Sequence, residues 1–461
     1  MELPDHMNTK KLPILSSILC SMVLLSVSAY GATFVVRPDR SLVRVADAIV
    51  VGSALTSYAA ETANGGIETV TSVSIEEVVK GRLTASAIDV VEPGGEVRGR
   101  LSIVAGAPQF APGRRTLLFL MRTGPNRWSV LDLAVGKFTF ADDRIGRKIL
   151  VRDEDEVVGL DPDLQPHQEP RRKADDFLQF VREETRGVHS QIDYTVPVSE
   201  LTEPTLAPAA GFRFVPTAES LHPRALVAPY SANSYTMTIS GSQGSRWNVF
   251  PSAVTFFMGT TQEAGAPGGG ATAIQTAFAS WNGDTGSNVN YVYGGVDDGT
   301  HTQGLHAPDG RNTVLFERDL SAWGAPPFTC SGNSYSGTLG IGGITSASGS
   351  NTVGSETFVT TGEADVEMNR GIANCTVLFN NGEFNSGVTH EIGHTLGFRH
   401  ADQTRNSGAA CTTDASLECS SHAIMTAVVT PGINAALQTW DIHAVQAVYP
   451  GSTGGGCTIP T

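Results

Sequence analysis

Residues 388–400 read VTHEIGHTLGFRH, and they decide how the C-terminal half of the chain is read. His390 and His394 stand four apart. On a helix this places both imidazoles on one face, one turn apart, where they can grip one ion. Ser386 is positioned to cap such a helix. Gly397 is positioned to end it in the left-handed conformation that other residues resist. The chain can then turn back and present His400 as a third nitrogen ligand. Three neutral imidazoles leave a fourth tetrahedral position open, the arrangement that separates catalytic from structural zinc. Glu391 follows the first ligand, where its carboxylate can accept a proton from water and later release one to a leaving amine. A purely structural site has no need of that glutamate.

The rest of the chain sets the context. Its 461 residues suit two ordinary domains better than one. A formal charge of −15 argues against nucleic acid as a partner. From Ser245 onward there are six arginines, no lysine and seventeen carboxylates, a composition that suits a secreted hydrolase. Lys10 and Lys11 precede the apolar run LPILSSILCSMVLLSVSA, which ends in small residues. This pattern reads as a signal peptide over 1–31, with cleavage after Ala29 or Gly31; an uncleaved anchor is the second reading. After cleavage no stretch approaches the roughly 18 apolar residues of a membrane span. Export favours disulfides. Cys411 with Cys419 is the first pairing, Cys330 with Cys375 the next, and Cys457 is left over.

Residues 33–165 read as a small all-β domain, a barrel or sandwich. Runs such as TVTSVSIEEVV, AIDVVEP and TLLFLMR alternate with the turn signals NGG, EPGG and TGPN. Over 166–244 a helix, ADDFLQFVREET, capped by Asp175 or Asp176, leads into a Pro/Ala/Ser-rich linker. The second domain, 245–450, places strands first and helices after, with one helix inserted early: SAVTFFMG, the helix ATAIQTAFASW, NVNYVYGG, RNTVLFE and EADVEMN, then SGVTHEIGHTLG and LQTWDIHAVQAVYP. This order implies an α+β fold. Residues 451–461 are a Gly-rich tail.

HEIGHTLGFRH matches H-E-x-x-H-x-x-G-x-x-H at every fixed position, and in this it resembles the metzincin zinc proteases. SRWNVFPSAVTFFMG, AFASW, EADVEMN and DIHAVQAVY extend the likeness to the matrixins over about 245–450. The resemblance implies a twisted mixed sheet, a zinc helix and a C-terminal helix, with zinc on His390, His394 and His400 and Glu391 as general base. It implies a methionine turn beneath the metal, here Met425, although Ala427 stands where some relatives carry tyrosine. It also implies an edge strand that pairs with a protein or peptide substrate, best matched by Ile341, Gly342, Gly343, Ile344 and Thr345; a glycine-rich loop explains the same letters. Selectivity would come from a pocket walled by the helix and by 426–437.

Matrixins also hold structural calcium. Asp297, Asp298, His301, His306 and Asp309 offer such a loop, although a solvated acidic loop is the favoured reading of the same letters; Asp365 reads as a calcium ligand or a strand-end residue. His422 and His443 read as surface residues. Latency through a pro-domain cysteine is excluded for the N-terminal region, which has none between the signal peptide and Cys330. Residues 33–165 then act as a pro-region that blocks by carboxylate or bulk, or as a stable accessory module. The expectation is a secreted zinc endopeptidase; the alternative is an inactive metal-binding adhesion or interaction protein.

Overall fold

The computed structural model describes residues 33–451, apart from 153–157, 161–168, 198–199, 201–231, 241–242, 332–333, 381, 405–406 and 427–432. The signal segment, most of the Pro-rich linker, Cys457 and all but the first residue of the tail lie outside the described residues. What is described is α+β, rich in sheet and poor in helix.

The N-terminal region contains β1 (Thr33–Val35), α1 (Asp39–Val45), β2 (Ala48–Glu61), β3 (Ile67–Lys80), β4 (Ala87–Pro93), β5 (Gly95–Val97) and β6 (Arg100–Val104). It continues with β7 (Arg115–Gly124), β8 (Arg127–Val130), β9 (Lys137–Asp142), β10 (Lys148–Arg152), β11 (Val158–Leu160), β12 (Arg172–Lys173) and α2 (Ala174–Thr185). Eight of these strands form one sheet in the order β12-β10-β9-β7-β2-β3-β4-β8, and β8 returns to pair with β7. The return closes a ring that leaves β7, β2, β3, β4 and β8 without open edges toward one another. Val50, Val73, Val90, Leu118, Leu120 and Trp128 fill it.

Two details depart from the sequence reading. Helix α1 interrupts a region expected to be all strand. Pro38 stands at its N-cap, and Asp39 is held by the buried guanidinium groups of Arg152 and Arg172. In α2, Asp175 and Asp176 are first-turn residues rather than caps; Lys173 occupies the cap position. They complement the helix dipole there. Phe177, Phe180 and Val181 form the buried face.

The C-terminal region contains β13 (Ile239–Ser240), β14 (Gln243–Arg246), β15 (Val254–Met258), α3 (Ala271–Asn282), β16 (Tyr291–Val296) and β17 (Asn312–Arg318). Then come β18 (Thr329–Ser331), β19 (Ser334–Val353), β20 (Glu356–Asn369), α4 (Thr376–Asn380), α5 (Glu383–Thr395) and α6 (Thr439–Val448). Strands β16, β15, β17 and β20 lie parallel in that order, and β19 closes the series antiparallel to β20. Parallel neighbours need crossovers, and α3 lies within the crossover between β15 and β16. Two disulfides join Cys330 to Cys375 and Cys411 to Cys419. Among the described residues no helix is long and apolar enough to cross a membrane.

The two regions share a sheet. The outer edge of β19 pairs with β1 through Thr33↔Gly340, Phe34↔Thr338 and Val35↔Gly337. It pairs with β6 through Val104↔Gly343, Ile103↔Ile344 and Leu101↔Ala347. One apolar core accordingly runs from Phe34, Val104 and Leu133 to Val314, Ile341 and Ile392. An unpaired edge strand presents a row of open N–H and C=O groups, and here the N-terminal region satisfies them.

Candidate metal centre

Helix α5 carries the centre. It begins at Gly382, whose φ of 82° only glycine adopts at no cost, so Ser386 lies inside the helix rather than at its cap. The Ser386 hydroxyl instead accepts from the N–H of Ala435. At the other end Gly397 takes φ 89°, and its N–H donates to the carbonyl of His394. A Cβ at Gly397 would meet the backbone oxygen of Ser245 at 1.9 Å. The glycine is therefore fixed twice, by its dihedral and by its neighbour. Past it, His400 swings back toward the helix.

The three imidazoles converge. Nε2 of His394 lies 3.0 Å from Nε2 of His390 and 3.2 Å from Nε2 of His400. The opposite nitrogens point outward to acceptors: Nδ1–H of His390 donates to the carbonyl of Ile424 (2.8 Å), that of His394 to the carbonyl of Phe398 (2.9 Å), and that of His400 to Oε1 of Gln403 (3.2 Å). A carbonyl oxygen can only accept, so these partners assign the proton to each Nδ1 and leave each Nε2 with a lone pair. Burial, then the neighbouring His390, push the His394 imidazole well below its ordinary pKa. Burial and the other two rings do the same to His400. Three inward lone pairs at this spacing repel one another unless a cation lies between them. Ligands about 2.05 Å from a tetrahedral ion are about 3.3 Å apart, so the triad needs to open by only a few tenths of an ångström to take zinc.

Elements far apart in sequence hold the helix in place. The indole N–H of Trp281, on α3, donates to the carbonyl of Thr389. That of Trp247 donates to the carbonyl of Thr395, and the Tyr449 hydroxyl donates to that of Leu396. Trp247 and Tyr449 thereby cap carbonyls at the helix end that the helix cannot satisfy alone, and Trp281 ties its middle. They come from the RW, AFASW and AVQAVY stretches, so the residues that carry the resemblance are those that seat the helix. Met425 lies under it: a Cβ added to Gly393 would fall 2.1 Å from the Met425 sulfur. The turn bearing the methionine is fixed by Asp441, whose carboxylate accepts from the N–H groups of Ile424 and Met425. Asp441, Gln403 and the carbonyl of Ile424 were not singled out from sequence. Only their spacing to the motif through the fold reveals them.

Glu391 is fully buried next to the triad, and His390, His394 and His400 are at most 1 % exposed. Residues 341–345 are a strand, as expected, but not a free edge: within β19 they pair with β20 on one side and β6 on the other, and they lie against this helix, where a Cβ at Gly342 would meet the backbone oxygen of Glu391 at 2.2 Å. Residues 232–240, ahead of 245, also reach the centre. The Thr236 hydroxyl donates to the carbonyl of His400, and Thr238 donates to that of Gly397.

The weaker candidates separate. Asp297, Asp298 and His301 come together. Burial raises the Asp297 carboxyl, but the N–H groups of Gly299 and His301, with Arg311, outweigh it and hold it at about 2. Asp309 accepts backbone N–H groups from Gln303 and Arg311. His306 stacks on Trp323 at 4.0 Å, and Asp365 is taken up by Thr313 and Thr345. His422 is exposed and His443 half-buried. Neither joins the triad.

No family model and no curated protein matches this chain. The functional reading therefore rests on the geometry of the centre and on the motif.

Proposed function

We propose that the chain is an exported zinc-dependent endopeptidase with a metzincin-type catalytic region. The observation that carries this reading is the convergence of three Nε2 lone pairs, each with its Nδ1–H tied outward, on a helix that also bears Glu391. His390, His394 and His400 would hold the metal through those nitrogens. Bound zinc supplies Lewis acidity, which polarises a carbonyl and lowers the pKa of water in the open position. Glu391 takes the proton of the attacking water and returns it to the leaving amine. Gln403 and the carbonyls of Ile424 and Phe398 keep the rings in the ligating tautomer. Strand β19 beside the helix is paired with β20 on one edge and covered by β1 and β6 on the other; freed, that outer edge would take an extended peptide, because strand addition reads main chain. The two disulfides accord with an oxidising compartment. At residues 297–309, where Asp297, Asp298 and His301 could also hold a metal ion, Arg311 and backbone N–H groups already bind the Asp297 and Asp309 carboxylates.

Complete burial of the ligands and of Glu391 favours a second reading, an inert metal-binding protein. The test is hydrolysis of casein and of quenched peptides by the purified, zinc-supplemented chain, with and without chelator. One equivalent of zinc and chelator-sensitive cleavage are expected. Zinc binding without cleavage, after the strand described next has been displaced, would overturn the endopeptidase reading.

A further inference from the structure

We infer that strand β6 is a resident occupant of the peptide-binding edge: residues 100–104 lie on β19 as an extended substrate would, and the metal site stays closed until they leave. This rests on the endopeptidase reading. The pairing is antiparallel, and it continues past the strand, since the N–H of Ala105 donates to the carbonyl of Gly342 at 3.4 Å. Gly342 is the residue whose backbone lies against the backbone of helix α5 at position 391, so the end of β6 reaches the part of β19 that packs on this helix. Strand addition of this kind uses main-chain pairing for affinity and pockets for alternate side chains. Both are present. Leu101 buries with Ile344 and Ala347, and Ile103 packs on the same cluster.

On its far side the occupant is fastened by a short strand and by Arg100, whose guanidinium donates to Glu61 and to the carbonyl of Gly65. Its other neighbour is β5, three residues long, and the turn between them exposes Arg98 and Gly99. Arg98 takes φ 51°, a left-handed conformation that a branched or long side chain adopts at some cost. By contrast, the chain just after β1 is pinned by the buried Arg37–Asp132 pair. Of the two strands on this edge, β6 is the one with an exposed tip, and its release also withdraws Val104 from the apolar core. The peptides that replace it are extended, with branched apolar residues two apart, as Leu101 and Ile103 are.

The full-length, zinc-loaded chain tests this. Ile103→Pro removes a backbone N–H from the middle of a sheet, where proline is not accommodated. With the open form below about a tenth of the population, releasing β6 raises peptide hydrolysis by roughly tenfold or more. Amides of residues 342–347 then exchange faster, and a synthetic peptide of residues 98–107 suppresses the gain. Leu101→Asp, or nicking the intact chain at Arg98, serves if the proline variant does not fold. Equal hydrolysis by intact and altered chains, with 342–347 still protected, overturns the inference. If no form cleaves any peptide, the endopeptidase reading fails. Binding of the 98–107 peptide to the altered chain, read by fluorescence anisotropy, then decides the edge by itself: binding upholds it and no binding overturns it.

Discussion

Helix α5 and the five-strand ring of the N-terminal region are both buried, but they are held by different forces. In α5 every residue from Ser386 to Thr395 is buried, and many are polar: Ser386, Thr389, His390, Glu391, His394 and Thr395. Such a helix survives because most of these polar side chains have assigned partners: Ser386 accepts from Ala435, Thr389 and Thr395 donate to the carbonyls of Asn385 and Ile392, and the imidazoles donate to those of Ile424 and Phe398. The ring interior is aliphatic apart from Trp128 and asks only for volume and alternation. The first arrangement is specific and brittle. The second is tolerant of exchange among apolar side chains of similar size.

The comparison can be broken most directly at Glu391. Glu391→Ala is expected to keep one zinc per chain and lower peptide hydrolysis about 10²–10⁴-fold. Metal analysis beside steady-state kinetics checks it, and retained hydrolysis defeats the mechanism. Next, Trp128→Ala in the ring should cost about 3–5 kcal/mol of stability through the cavity it leaves. Zinc affinity of the folded fraction should not change. A parallel loss of zinc affinity in denaturant titrations would mean the two regions do not differ as described. Gly393→Ala should cost about 1–3 kcal/mol, because its methyl group collides with the Met425 sulfur. A variant as stable as the parent in thermal unfolding would remove the methionine from its place under the helix. Gln403→Ala frees the ring of His400 and should weaken zinc about 10–100-fold, measured by competition with a chromogenic chelator. Unchanged affinity would show that this bond does not orient the ligand.

The same contrast explains what was legible before any coordinates. The triad could be read because its three histidines fall within eleven residues and its stop signal, Gly397, has one physical meaning. Strands such as Ala87–Pro93 and Asn312–Arg318 announced themselves by apolar alternation between turn residues. What could not be read was long-range pairing. Nothing in TFV at 33–35 or RLSIV at 100–104 marks them as belonging to a sheet completed more than two hundred residues later. Periodicity reports which side of a strand is buried, not which strand it meets. Asp441 was illegible for a related reason. An aspartate in a first helical turn reads as the N3 member of a capping box, and it is one, since its carboxylate accepts from the N–H of the N-cap Gln438; its second task on the Met425 turn exists only in three dimensions.

The joining of β1 and β6 to β19 has a consequence for how the chain is made. Arg37 and Ser336, which share a hydrogen bond in the finished molecule, stand 299 positions apart. At synthesis rates of ~5–20 residues per second, the early strands wait on the order of half a minute for their partner. During that time they are open edges, the elements most prone to pair with other chains. Loop closure over such a distance is also slow. The molecule therefore depends on something to shield its first strands during synthesis, and a chain truncated before residue 337 should aggregate rather than fold.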